Sequence, residues 1–271
     1  MVAISISNIA WDVVLDDEVA LILNQYEVTC IDIAPSKYFP VPRDVSNADI
    51  NKIKQDWGKR GVTLIGMQSL LFGTEGLNMF SCSSVQNEML AHLSHICRLG
   101  GRLGVSKLVF GSPKNRDRSK LTDDETNKIA IKFFNQLGDI AKDNGVIICL
   151  EPNPPCYNAN FMVNSLETAR MVKLISHSNI KMQLDIGAMY INDEKPRDII
   201  SQVHQWVGHI HVSEPQLAKI NPQNSYHKVI APLLEEYLPH MAITIEMLSS
   251  SKDASLNEIE SSIQFVNSIY K

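Results

Sequence analysis

Four short apolar runs in the chain each lead into a residue that can carry charge or bind a metal. Val146-Ile-Ile-Cys-Leu150 runs into Glu151, Lys181-Met-Gln-Leu184 into Asp185, Gly208-His-Ile210 into His211, and Met241-Ala-Ile-Thr-Ile245 into Glu246. The four ends lie 34, 26 and 35 positions apart, about the length of one strand-plus-helix unit of roughly 30 residues. Side chains alternate across a strand, so Cys149 shares a face with Glu151, Gln183 with Asp185, His209 with His211, and Thr244 with Glu246. The opposite face carries Ile148, Leu150, Met182, Leu184, Ile210, Val212, Ile243 and Ile245. A carboxylate at the lip of a buried strand needs a partner. The repetition therefore constrains fold and chemistry together.

The rest of the chain alternates in the same way. Strands are predicted over residues 2–7, 28–34, 62–68 and 107–111, with helices over 16–25 and 48–59 and a third bearing Met89, Leu93, Ile96 and Leu99 at helical spacing. Gly61 marks the end of the second helix. Thr122 with Glu125 forms a capping-box pattern that opens the fourth, and Asn164 with Glu167 and Ser255 with Glu258 resemble further helix starts. Helices over about 197–206 and 227–237 flank the run that carries His211. Eight strand-helix pairs result. With 44% hydrophobic residues and no linker or low-complexity tract in 271 residues, residues 1–271 are expected to form a single (β/α)8 TIM barrel rather than an open doubly wound sheet.

A formal net charge of −5 offers no basic stripe, so neither nucleic acid nor an anionic membrane is an expected partner. Small molecules are. No apolar run approaches the roughly 20 residues that span a bilayer, and the first residues lack a signal-peptide pattern. Cys30, Cys82, Cys97, Cys149 and Cys156 show no paired spacing, which suits a reducing cytoplasm.

In a barrel the C-terminal ends of the strands share one rim, and residues far apart in sequence meet there. If the shared face points inward, Glu151, Asp185, Glu246 and His211 converge. Three carboxylates that close repel one another, and a divalent cation relieves the repulsion. Oxygen-rich ligation with one nitrogen suits one Mn²⁺, Mg²⁺ or Co²⁺ ion, with Zn²⁺ also compatible. Singly, each of these residues could be a satisfied polar group of the barrel interior. Four at matching strand ends favour the metal.

Other residues carry two readings. His209 lies one layer deeper than His211 and is expected to be a hydrogen-bonded core residue. Trp11 either stacks on a substrate or caps the barrel. Gln68 and Asn153, near strand ends at the same rim, are expected to contact substrate, and His227 either does so or caps the helix it begins. Lys114, Arg116 and Arg118 could hold an anionic group, but a solvated loop is the expectation. His92, His95, His177, His204 and His240 are expected at the surface.

The chain resembles the xylose isomerase-like barrels, a group that includes sugar isomerases and epimerases, hydroxypyruvate isomerase, inosose dehydratase and endonuclease IV. The resemblance spans nearly the whole chain. It is carried by Leu150-Glu151-Pro152, Leu184-Asp185-Ile186-Gly187, His209-Ile-His211-Val-Ser-Glu214 and Ile245-Glu246-Met247, and is nearest to the ketose 3-epimerase and sugar-phosphate isomerase/epimerase branch. It implies a metal-dependent enzyme acting on a small carbohydrate, in which Glu151, Asp185, His211 and Glu246 bind one ion. Glu151 and Glu246 would also move protons through an enediolate. Association into a homo-oligomer is compatible with that branch. Two departures stand out: Ala188 occupies a position where many members carry His after the Asp, and Gln68 stands where endonuclease IV-like members bind metal through His. A three-zinc cluster cannot be assembled from the usual residues, which argues against cleavage of abasic DNA. The alternatives are a lyase that dehydrates a keto-polyol, and a ligand-binding barrel without activity.

Overall fold

The computed structural model describes residues 2–271. Eight parallel strands close into a barrel in sequence order: β1 (Ile4–Ser7), β2 (Cys30–Ile33), β3 (Thr63–Met67), β4 (Lys107–Phe110), β5 (Ile147–Leu150), β6 (Ile180–Asp185), β7 (Val207–Ser213) and β8 (Ile243–Glu246). The helices around it are α1 (Asp16–Gln25), α2 (Asn47–Lys59), α3 (Ser83–Leu103), α4 (Asp123–Asp143), α5 (Ser165–Ile175), α6 (Ile186–Ile191), α7 (Pro196–Val203), α8 (Tyr226–Tyr237) and α9 (Ser255–Tyr270). The expected (β/α)8 TIM barrel is what the chain forms. Eight parallel strands leave no open edge, because β1 pairs with β8 through Ile4↔Ile243 and Ile6↔Ile245.

Local chemistry sets the element ends. Thr122 caps α4 with the expected box, its hydroxyl accepting from the Glu125 N–H while Glu125 returns to the Thr122 N–H at 2.9 Å. Ser46 and Asp49 do the same for α2. Asn164 caps α5 by accepting from the Glu167 N–H at 2.8 Å. The Ser255–Glu258 pair behaves differently. Ser255 is already helical behind Ala254, and the Glu258 carboxylate instead accepts from the Ser250 N–H and hydroxyl, each at 2.8 Å. The pattern matched a cap, but the helix begins one residue early and Glu258 ties down the preceding loop.

Helix α6 is the main element that the sequence pattern does not predict. It starts directly on Asp185, whose side chain accepts from the Ala188 N–H, and six residues are too few to show a helical period. The apolar faces of the strands pack outward on the helices, where Ile31, Ile148, Leu184, Ile210 and Ile245 are buried in one continuous core. The inner face is polar. Ser5 donates to Asp32 at 3.3 Å, and Asp32 lies 2.8 Å from His209 across the barrel. His209 also meets Gln183 at 2.9 Å, so it is the hydrogen-bonded core residue the pattern suggested. Of the five histidines expected at the surface only His240 is exposed. His92, for example, is half-buried and bonds the Leu70 carbonyl at 2.8 Å. All five cysteines are unpaired, and no helix among the described residues is long and apolar enough to cross a membrane.

Candidate metal centre

Strand register brings the four expected ligands together. Asp185 pairs with His211 across β6 and β7, and Glu246 pairs with Ser213, two residues beyond His211, across β7 and β8. Glu151 lies one residue past β5 and remains tied to it, its N–H donating to the Phe110 carbonyl at 3.1 Å. Around His211 Nδ1 stand Glu246 Oε2 at 3.2 Å, Glu151 Oε1 at 3.4 Å and Asp185 Oδ2 at 3.8 Å. One ligand atom from each residue falls within 4.8 Å of all the others. Donors about 2.1 Å from a shared ion sit roughly 3.0–3.5 Å apart, so the donor chemistry and the Glu246 and Glu151 spacings fit a divalent cation, with Asp185 standing wider.

The remaining atoms of each group are held differently. Asp185 Oδ1 accepts from the Ala188 N–H at 2.6 Å and the Ser213 hydroxyl at 3.0 Å. Glu246 Oε1 accepts only from Gln68 Nε2, at 2.6 Å, and Glu151 Oε2 only from Asn153 Nδ2, at 3.1 Å. Gly111 supplies the space for Glu151, since a β-carbon there would overlap Glu151 Oε2. The charges of these groups act strongly on one another. Burial, reinforced by the charges of Glu151 and Glu246, pushes the Asp185 carboxyl up to about 7. Burial opposes charge on His211 too, yet the facing Glu246 and Glu151 hold its imidazole well above the usual value. Glu151 is kept below the ordinary carboxylate range because His211, Asn153 and Arg116 together outweigh its burial.

Two lobes open on either side of these groups, and both are bounded by Gly111, Glu151 and Glu246. One, of about 290 Å³, runs under the loops after β3 and β4 past Gln68, Leu71 and Phe72. The other, of about 360 Å³, lies under the loops after β5 to β7 past Asn153, Tyr157 and Leu217. Gln68 and Asn153 thus stand in the walls while steadying the glutamates.

Trp11 and His227 are placed elsewhere. Trp11 is 3% exposed, donates to Asp16 at 2.8 Å and meets Trp57 edge-on; it borders a separate cavity whose wall shares no residue with the two lobes. His227 is fully buried, with Nε2 3.1 Å from Glu214 and Nδ1 2.8 Å from the Tyr270 hydroxyl, so neither nitrogen is free for a substrate. Its place near a helix start suggested rim exposure, but α8 turns it into the gap between β7 and α9. Arg116 is the opposite case. Expected in a solvated loop, it is 1% exposed and donates to the Glu151 carbonyl at 2.7 Å.

Fold and site together define a (β/α)8 barrel with a carboxylate-imidazole metal centre candidate at its mouth. The xylose isomerase-like TIM barrel family model matches residues 22–268, and the chain belongs to that family. A comparison with curated protein sequences finds no match. Among solved structures, the chain is similar to D-psicose 3-epimerase from Clostridium cellulolyticum H10, at 16% identity over 99% of both chains with a TM-score of 0.81. It is similar to the 3-keto-D-glucoside 4-epimerase of E. coli, at 12% identity over 99% of this chain and 100% of that one, TM-score 0.80. An AP endonuclease of family 2 from Brucella melitensis shares 15% identity over 98% of both chains, TM-score 0.73. At such identities these likenesses speak for the fold.

Proposed function

We propose that the protein is a metal-dependent isomerase or epimerase of a small sugar, keto-sugar or sugar phosphate, with Glu151 and Glu246 as its proton-transfer groups. The observation that carries this reading is the unequal fastening of the carboxylates. Both donors on Asp185 Oδ1 leave that residue only a holding role, whereas each glutamate keeps one oxygen toward the cluster and a second oxygen under a single amide at the wall of the lobes. The epimerase structures similar to the chain support the same class.

Glu151, Asp185, His211 and Glu246 would hold the ion, which when bound would draw electron density from a substrate carbonyl and its neighbouring hydroxyl and acidify the carbon-bound proton between them. Glu151 Oε2 or Glu246 Oε1 would take that proton, and the other glutamate, on the far side of the sugar, would return one. Return to the opposite face of the same carbon inverts it. Return to the adjacent carbon interconverts ketose and aldose. Gln68 and Asn153 donate to the very oxygens that move protons, so they hold each carboxylate in its working rotamer. Ala188 and Gln68, where imidazoles would be needed for a multi-metal cluster, speak against the endonuclease reading.

The test is solvent-proton exchange. Ketoses incubated in heavy water with the wild-type protein are expected to take up deuterium, and Glu151→Gln and Glu246→Gln are each expected to reduce uptake by about 100-fold or more with the fold retained. Wild-type exchange in both variants would reject the two-glutamate assignment. Loss of water from a keto-polyol without epimer formation would move the protein to the lyases.

A further inference from the structure

We propose that Arg116 is the positioning residue of Glu151, acting through Asn153 to set how tightly the centre holds its ion. Arg116 sits in the short turn Pro113–Arg116 after β4. That turn is anchored from beneath, with Asn115 donating to the Leu77 carbonyl at 2.7 Å and accepting from the Met79 N–H at 2.9 Å. The guanidinium is thereby driven inward. Its Nη2 donates to the Glu151 backbone carbonyl at 2.7 Å and also to Asn153 Oδ1. Asn153 in turn donates from Nδ2 to Glu151 Oε2. Backbone and carboxylate of one ligand are thus gripped by a single cation, the second through an amide whose orientation the arginine dictates.

A structural staple alone does not account for this arrangement. Burying a cation is costly unless a charge or hydrogen bonds compensate it, and among the described residues no carboxylate stands within ion-pair distance of Arg116. Nε and Nη1 make no hydrogen bond. Burial lowers its pKa to about 10, a fall opposed by the Glu151 charge, so it remains a cation at neutral pH. Both acceptors it does use belong to Glu151 or to the group that holds Glu151.

The proposal rests on Glu151 being a ligand, and the test separates the two claims. Co²⁺ is titrated into wild type, Arg116→Lys and Asn153→Ala while the visible cobalt bands report ligand geometry, and the melting temperature of each metal-free protein is recorded. Lysine keeps the charge but ends in a compact ammonium on a different stem, so it does not reproduce the planar guanidinium that orients Asn153. Both variants are expected to bind Co²⁺ about 10-fold or more weakly and to show altered cobalt bands, beyond what any fall in metal-free melting temperature explains. The double variant is expected to lose little beyond either single one, because both act on the same carboxylate. Wild-type affinity and bands in Asn153→Ala, or an affinity loss in Arg116→Lys that merely tracks its melting temperature, would overturn the proposal. If Arg116→Lys does not fold, Asn153→Ala decides by the same readouts. Failure of the wild type itself to bind Co²⁺ would overturn the ligand reading, and this proposal with it.

Discussion

Asp185 and His211 share a cluster in which a bound cation would have to compete with protons. With Asp185 raised to about 7 by burial and by its two glutamate neighbours, and His211 raised by the same glutamates, the metal-free site retains protons near neutrality. Ligation needs a carboxylate and a neutral imidazole, so metal entry releases protons. Affinity for Mn²⁺ is therefore expected to rise with pH through about 7, with proton release visible when calorimetric titrations are compared in buffers of different ionisation enthalpy. An affinity that is flat between about pH 6 and about pH 8 would contradict this. The linked effect on folding has a definite sign. A group whose pKa is raised on folding stabilises below its unfolded value and loses that contribution as pH rises through the folded one. For Asp185 the loss runs from the ordinary carboxylate range up to about 7, so the metal-free protein should weaken across that window and the Mn²⁺-loaded protein should not.

Among the elements, the join between β7, α8 and α9 runs through one buried carboxylate and the imidazole that faces it. Glu214, just past β7, accepts from the Asn221 N–H, from Asn224 and from His227, and His227 reaches on to Tyr270 near the end of α9. Burial alone would raise Glu214, but these donors hold it below its ordinary range. Replacing His227 with Ala leaves a cavity and a carboxylate stripped of a donor, which is expected to cost about 2–4 kcal/mol in urea unfolding. A loss under about 1 kcal/mol would show that the join is held by apolar packing instead. Elements also show what was readable beforehand. The parity of Glu151, Asp185, His211 and Glu246 was legible because strand period fixes the face, and α4 was legible because Thr122 and Glu125 state its start. His227 and Arg116 were not. Their burial depends on how a short turn, for Arg116, and a helix, for His227, pack back against the barrel, and nothing in local period or capping records that.

At the scale of the whole molecule, barrel closure converts four sequence-distant strand ends into one centre, and the outward apolar faces leave the interior free to be polar. The same closure made the fold readable: strand-helix alternation with one repeated parity has few other solutions. Gly111 lay beyond that reading, because its need comes from a carboxylate on the neighbouring strand rather than from its own loop. The lobes on either side of Glu151 and Glu246 are likewise properties of the assembled rim. Elemental analysis of the purified protein and of its Asp185→Ala and His211→Ala variants tests most directly whether this rim holds one divalent ion. About one ion per wild-type chain, lost from both variants while they remain folded, is the result expected. No bound metal after dialysis against Mn²⁺ or Co²⁺, or equal metal content in all three proteins, would contradict it.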